Sequence, residues 1–477
     1  MNREKKLLKN TLILSIGTII PKLTSFVILP ILTGYLTKTE YGTYDLITIL
    51  ASLLLPAVTL QLQTAAFRFL IEQKDNENNK KRIISNILIF IIPVSIITLL
   101  ILFFVLYKYT IISRILISIY FLFDILYSTC GQIARGLLKS KVYALGSIIS
   151  SITNLILTII LIYYLKMGLT GVLICMCLSM AVPTIIMISK IKLFKYISVK
   201  EYDRGLLKQL LKYSWPMVPN SMSMWIMNAS DRLVITLFLG IETNAIYAVA
   251  KKIPNIITIA QSTFTMAWQE SASLASEDED SAIYYSKMFD VIFSVMSGII
   301  IFILAGMPVL FKVLIRGNYE EAYNQMPILV LGMFFYSIAS YLGGIYVGKK
   351  MTKSVGMTTL VAAVINLITC FLLIKIIGLY AASISTLISY IVLTIYRMID
   401  IKRNVKINYN LKKIMLITFI LLLFSGISYI KNTICYIFEI LFAIAFMLIV
   451  NKQTLIQLLE NIKNRKTKNQ YDKYTKE

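Results

Sequence analysis

The chain has 477 residues, 57% hydrophobic and 15% charged, with a formal net charge of +24 and no histidine; its mean hydropathy is +0.75. Globular domains carry about 25% charged residues, so an ordinary soluble fold is excluded, as are imidazole catalysis, histidine metal sites and histidine proton relays. The apolar residues fall in blocks of about 20, the length that crosses roughly 30 Å of hydrocarbon.

In chain order the blocks predict about fourteen transmembrane helices, at 10–36, 42–70, 83–107, 111–134, 142–164, 168–189, 213–239, 243–270, 288–314, 327–347, 355–376, 379–397, 413–430 and 434–450. A β-barrel would alternate with period two, whereas "IISNILIFIIPVSIITLLILFFVLY" is apolar on every face. The class is therefore all-α and polytopic. The first block is read as a span and not as a cleavable signal, because no small-residue cleavage site follows it. Alternate connections are basic, from "MNREKKLLK" through "KIKLFKYISVKEYDRGLLKQLLK" to the tail, and the others are short and nearly neutral. Positive charge marks the cytoplasmic side, so both termini are expected in the cytoplasm. The excess charge is a topology signal and argues for no nucleic-acid partner. "GLTG" at 168–171 reads as a tight turn at a helix start, not a phosphate loop.

Cys130, Cys175, Cys177, Cys370 and Cys435 all lie in apolar blocks. The two thiols of Cys-Met-Cys point roughly 200° apart on a helix, which suits packing and no metal. No resident cofactor is expected.

The chain repeats itself. "LLKNTLILSI" at 7–16 aligns with "LLKYSWPMVP" at 210–219, and the same offset sets "YGTY" at 41–44 on "NAIY" at 244–247. A register nine residues longer sets "GQIARGLLKSK" at 131–141 on "GGIYVGKKMTK" at 343–353, pairing Gly131 with Gly343 and Gly136 with Gly348. Two pseudo-symmetric six-helix lobes follow, residues 1–189 and 213–397, around a central cavity. Residues 190–212 form a basic, amphipathic connector, 398–450 hold two extra C-terminal helices, and 451–477 are a basic tail. Six spans is an even number, so the repeat is parallel, an architecture that transporters use for alternating access.

Ionisable groups inside spans seldom face lipid. On span 1, Ser15, Thr18, Lys22 and Ser25 share one face, with Pro21 a bending point beside Lys22. Span 7 carries Asn228, Asp231 and Arg232, and span 2 ends near Arg68. Span 4 places Asp124, Gln132 and Arg135 on one face; Asp124 is a candidate for a coupling proton or Na⁺, or else a partner for Lys22. On span 8, Tyr247, Lys251, Pro254, Thr258, Gln261, Thr265 and Trp268 make a continuous stripe, which either lines water or forms a seam with another helix. Lys252 points about 100° away. Glu270 and Arg135 are candidates for gating. The candidate cations outnumber the acids, which favours an anionic ligand.

The opening "LLKNTLILSIGTIIPKLTSFVILPILTGYLTKTEYGTYDLITIL" and "LGIETNAIYAVAKKIPNII" resemble the polysaccharide-type flippases of the multidrug/oligosaccharidyl-lipid/polysaccharide exporter superfamily. The resemblance covers nearly the whole chain. It implies a V-shaped pair of lobes in the cytoplasmic membrane that flips undecaprenyl-diphosphate-linked oligosaccharide repeat units for O-antigen or capsule synthesis. Lys22, Arg68, Arg232 and Lys251 would then meet the diphosphate head group, while Lys252, Asn228 and Gln261 extend the substrate surface. Coupling and gating would fall to Asp124, Asp231, Glu270 and Arg135. Implied partners are membrane lipids, a polysaccharide polymerase and chain-length proteins, around a monomeric flippase. Lipid II flippases are the near alternative, although they are arginine-rich in the first two spans. Drug/cation antiporters have twelve spans and an acidic interior. A membrane polymerase or glycosyltransferase needs a long outer loop, and here only Glu320 and Glu321 in a short connection offer themselves.

Overall fold

The computed structural model describes residues 3–73, 76–430, 433–452 and 456, and their side chains from residue 17 onward except 260, 263, 266, 277, 352, 433 and 434. Ser15 and most of the basic tail therefore lie outside the described side chains. Among the described residues the regular structure is helical throughout, with seventeen α-helices and no strand. Ten helices are long and apolar enough to cross a membrane.

The first repeat runs through α1 (Arg3–Tyr35), α2 (Lys38–Thr59), α3 (Leu62–Glu72), α4 (Glu77–Val105), α5 (Ile111–Gly136), α6 (Ser140–Leu157) and α7 (Gly168–Ile191). A π-helical turn, Thr158–Tyr164, extends α6. The connector ends in α8 (Arg204–Ser214). The second repeat comprises α9 (Met217–Leu239), α10 (Ile241–Ala250), α11 (Pro254–Leu274), α12 (Ser281–Leu314), α13 (Glu320–Gly348), α14 (Thr352–Ile377) and α15 (Tyr380–Asn404), followed by α16 (Leu411–Ile427) and α17 (Thr433–Val450).

Each predicted span has its helix, but two are broken. Span 2 divides between α2 and α3, where Leu60 and Gln61 both take left-handed backbone angles (φ 47° and 59°). Span 8 divides between α10 and α11 because Pro254, the first residue of α11, has no N–H with which to continue α10. Pro21, by contrast, leaves α1 continuous. Four expected spans fall outside the ten: α9 carries Asn220, Asn228, Asp231 and Arg232 before its apolar end, the α10–α11 pair is interrupted, and α16 and α17 are short.

The internal repeat is visible in the turns. Leu138 and Lys350, equivalent in the longer register, both have φ 59°. After α5, the Lys139 N–H donates to the Ala134 carbonyl at 2.8 Å; after α13, the Met351 N–H donates to the Tyr346 carbonyl at 2.8 Å. Both are the closing bond of a helix end that turns through one left-handed residue. The paired glycines act alike. A Cβ on Gly136 would lie 2.9 Å from the Leu70 side chain and 3.1 Å from the Ala66 carbonyl oxygen. One on Gly348 would lie 2.7 Å from the Ala272 carbonyl oxygen. Thus α5 closes on α3, and α13 closes on α11, at the same point of each repeat.

Local capping fixes the start of α2. The Glu40 amide donates to Thr37 Oγ1 at 3.2 Å, and the Thr37 amide donates to Glu40 Oε2 at 2.9 Å. The other carboxylate oxygen of Glu40 accepts from the Leu169 amide at 2.9 Å. Gly168 opens α7 at φ 55°, the tight helix start that the sequence predicts; a Cβ there would lie 2.2 Å from Glu40 Oε1.

Two compact units emerge: Met1–Ala248 with Val313–Tyr319, and Val249–Lys312 with Glu320–Glu477. In the first, a buried apolar cluster joins α3, α4 and α5 to the end of α7 and to α8. Leu210 of α8 is fully buried in it, and Leu206, Leu207 and Leu211 pack against it. The leucine face of the connector therefore turns toward the protein.

Candidate functional site

Buried charge inside the first unit concentrates where α2, α9 and α10 meet. Arg232 Nη1 lies 2.8 Å from Asp45 Oδ1, with 15% and 5% of the two side chains exposed. The Asn244 amide donates to Asp45 Oδ2 at 3.3 Å and to the Gly42 carbonyl at 3.4 Å. One residue before Arg232, Asp231 accepts the Tyr247 hydroxyl at 2.6 Å on one oxygen and the Arg232 amide at 2.9 Å on the other. Two acids and one guanidinium thus share a dry pocket closed by tyrosines, Tyr41 packing edge-on against Tyr44 and Tyr319. Removing charges from water in this way is costly unless they are paired, and here they are.

Further along, α9 is tied to α2 and α3 by side chains at intervals that follow an antiparallel course. Trp225 Nε1 donates to the Ile49 carbonyl at 3.1 Å, and Gln61 Nε2 donates to Ser221 Oγ at 2.9 Å. Asn228 is exposed and its amide donates to the Met224 carbonyl at 2.8 Å.

Lys22 sits on a separate helix. Its side chain is half-buried on α1, and its ammonium group has no hydrogen-bond or ion-pair partner among the described residues. The Ser25 hydroxyl donates to its carbonyl at 2.7 Å, and Thr24 does the same to Pro21 at 2.9 Å. Asp124 does not pair with it; that carboxylate has no hydrogen-bond or ion-pair partner among the described residues either, and Tyr120, one turn earlier, lines a cavity of about 140 Å³. Tyr44, Thr48, Asn154, Thr158 and Ser179 give this cavity a polar wall within the first unit. Arg68 forms an exposed pair with Glu72 at 2.8 Å. Arg135 stacks on Phe67 at 4.5 Å and donates to Gln132 at 3.2 Å.

In the second unit the span 8 stripe forms a seam along α11. Gln261 is buried, with its amide donating to the Ser337 carbonyl at 3.1 Å; Thr265 meets Ser340 at 3.0 Å; and Trp268 Nε1 donates to the Tyr341 carbonyl at 2.8 Å. All three partners belong to α13, so of the two readings of the stripe the interhelical seam describes this stretch. Lys251 is buried and Lys252 partly so, while Glu270 is exposed.

A model of polysaccharide biosynthesis proteins matches residues 7–269, more than half of the chain. The chain belongs to that family. No curated protein sequence matches it. Solved structures of similar fold include the lipid II flippase MurJ in an inward closed conformation, at 16% identity and TM-score 0.70, covering 93% of this chain and 99% of that one. An inward-facing multidrug resistance transporter of the MATE family in the MOP superfamily gives 14% identity and TM-score 0.69, covering 83% and 98%. A MOP superfamily transporter from Pyrococcus furiosus gives 15% identity and TM-score 0.56, covering 84% and 95%. The resemblance read from the sequence thus holds for family and fold: this is a multi-pass membrane protein with the MOP transporter fold.

For a polysaccharide biosynthesis protein of this fold, two charged residues escaped the sequence reading. Asp45 lies directly after the quoted "YGTY", and its place in an otherwise apolar span marks it as a partner for a buried cation. Arg397, on α15, is buried without a carboxylate among the described residues. It donates to the Ala339 carbonyl at 2.6 Å and to Thr358 and Thr359 at 3.1 and 3.0 Å. These three neutral acceptors tie α13 and α14 to α15, a structural use that hydropathy does not reveal.

Proposed function

We propose that this chain flips undecaprenyl-diphosphate-linked oligosaccharide repeat units from the cytoplasmic to the outer leaflet of the cytoplasmic membrane, by alternating access coupled to H⁺ or Na⁺. The observation that carries the reading is Lys22. It is a half-buried cation inside a span, unneutralised among the described residues, in a member of a polysaccharide biosynthesis family. An ammonium group in that setting is well suited to a diphosphate, whose charge replaces the missing carboxylate. Asp124 is the coupling group in this account, because a carboxylate held in a span without a cation partner among the described residues gains most from binding a proton or Na⁺. Neither role requires bond-making chemistry.

The alternative reading, lipid II transport, draws support from the likeness to MurJ over most of both chains. The same head-group chemistry serves either substrate, so the glycan decides. Depleting the protein should trap lipid-linked oligosaccharide in the cytoplasmic leaflet, shielded from an external glycan probe. Repeat units that appear outside but stay unpolymerised would instead point to a polymerase. Trapped lipid II would favour the alternative substrate.

A further inference from the structure

The connector between the repeats is clasped to the end of α4 along one edge. Two fully buried side chains make the clasp. Ser85 Oγ donates to the Tyr196 carbonyl at 2.7 Å and accepts from the Ser198 amide at 3.0 Å. Asn86 donates to the Glu201 carbonyl at 2.9 Å and accepts from the Asp203 amide at 2.9 Å. The acids of this segment are consumed on the same edge, Glu201 by Lys81 at 3.7 Å and Asp203 by Arg82 at 2.6 Å. Leu193 is buried there too.

The opposite edge has a different composition. Phe194 is 79% exposed, Val199 78% and Tyr202 48%, and they alternate with exposed Lys192, Lys195 and Lys200. Large apolar side chains held out on a rigid, hydrogen-bonded backbone are unfavourable in water. The segment leaves the membrane-spanning helix α7 at Ile191 and leads through α8 into α9, so it lies at a membrane boundary. Apolar tips among lysines, with no free acid, complement a surface that is hydrocarbon beneath and anionic at the head groups.

We infer that residues 192–202 form a lipid-facing anchor, in which Phe194, Val199 and Tyr202 enter the interface of the leaflet and Lys192, Lys195 and Lys200 hold anionic phospholipid head groups. This differs from an amphipathic helix lying on the bilayer, since the leucine face of α8 is spent on the protein core. The anchor would fix the first repeat at a set depth.

Spin labels test depth directly. The variants Phe194→Cys and Val199→Cys, in a background with the five native cysteines replaced, are labelled and placed in nanodiscs containing phosphatidylglycerol. Glu279→Cys, in the exposed acidic stretch, serves as the aqueous reference. Labels at 194 and 199 are expected to collide several-fold more with oxygen, relative to a nickel chelate, than the label at 279. A ratio equal to that at 279, or shielding from both reagents as a protein partner would give, overturns the anchor. In the native cysteine background, replacing Lys192, Lys195 and Lys200 together by Gln should remove most of the thermal stabilisation gained on moving from zwitterionic to phosphatidylglycerol-containing discs. An unchanged gain would overturn the head-group part.

Discussion

Thr39 Oγ1 donates to Glu242 Oε1 at 2.7 Å, and in the shorter register these two residues are each other's equivalents. One turn on, α2 and α10 approach so closely that a Cβ on Gly42 would lie 2.1 Å from the Ile241 carbonyl oxygen. That atom is backbone and cannot swing aside. Gly42→Ala should therefore lower the melting temperature of the purified protein by a loss of about 1–3 kcal/mol or more, as overpacking does. Gly356, within α14, has nothing within 4 Å of its Cβ position, so Gly356→Ala should be neutral or stabilising by up to about 1 kcal/mol. Equal effects would contradict the close approach.

The Asp45–Arg232 pair makes a second prediction. Removing one partner leaves a buried charge uncompensated, at a cost of about 3–5 kcal/mol. Asp45→Asn and Arg232→Gln should each reduce the folded fraction sharply. Asp45→Asn combined with Arg232→Gln should lose less than the sum of the two, since neither group is then left as the uncompensated half of the pair, while buried Asp231 keeps the Tyr247 hydroxyl in every variant. Additive losses in the double variant, measured by thermal unfolding in detergent, would show the two side chains to be independent.

Much of this architecture was legible because lipid imposes it. Span lengths, the paired turns of the repeat and the family likeness follow from blocks of apolar residues and from glycines such as Gly136 and Gly348, whose positions a close helix crossing dictates. The breaks at Leu60–Gln61 and before Pro254 were less legible, because hydropathy averages over them. The charged residues were harder still. Sequence spacing placed Gln261 and Trp268 on one face correctly, yet a face does not declare whether it meets water or α13. Arg232 carried no sign of its partner, since Asp45 lies 187 residues away and only the fold brings them together.

A pH effect is expected at the connector. The Leu206 and Gly205 amides, then Arg82, hold the Asp203 carboxyl below its ordinary range. A depressed folded value stabilises above the unfolded pKa and is lost as pH falls through the folded one. The stability gap between the wild type and Asp203→Ala should thus be constant above about pH 4 and should shrink as acid is added. A gap that widened in acid would reverse the sign and contradict the stabilising role of these contacts to Asp203.

The most direct measurement concerns Lys22. Purified protein is reconstituted into liposomes with an undecaprenyl-diphosphate-linked oligosaccharide, and transfer of the glycan to the protected leaflet is followed for the wild type, Lys22→Arg and Lys22→Gln at equal protein levels. The wild type should transfer well above protein-free liposomes, Lys22→Arg should retain part of the rate, and Lys22→Gln should lose at least about tenfold, the equivalent of roughly 1.4 kcal/mol in head-group interaction. Full transfer by Lys22→Gln, or none by the wild type, would contradict the proposed role of this lysine in carrying a diphosphate-linked glycan.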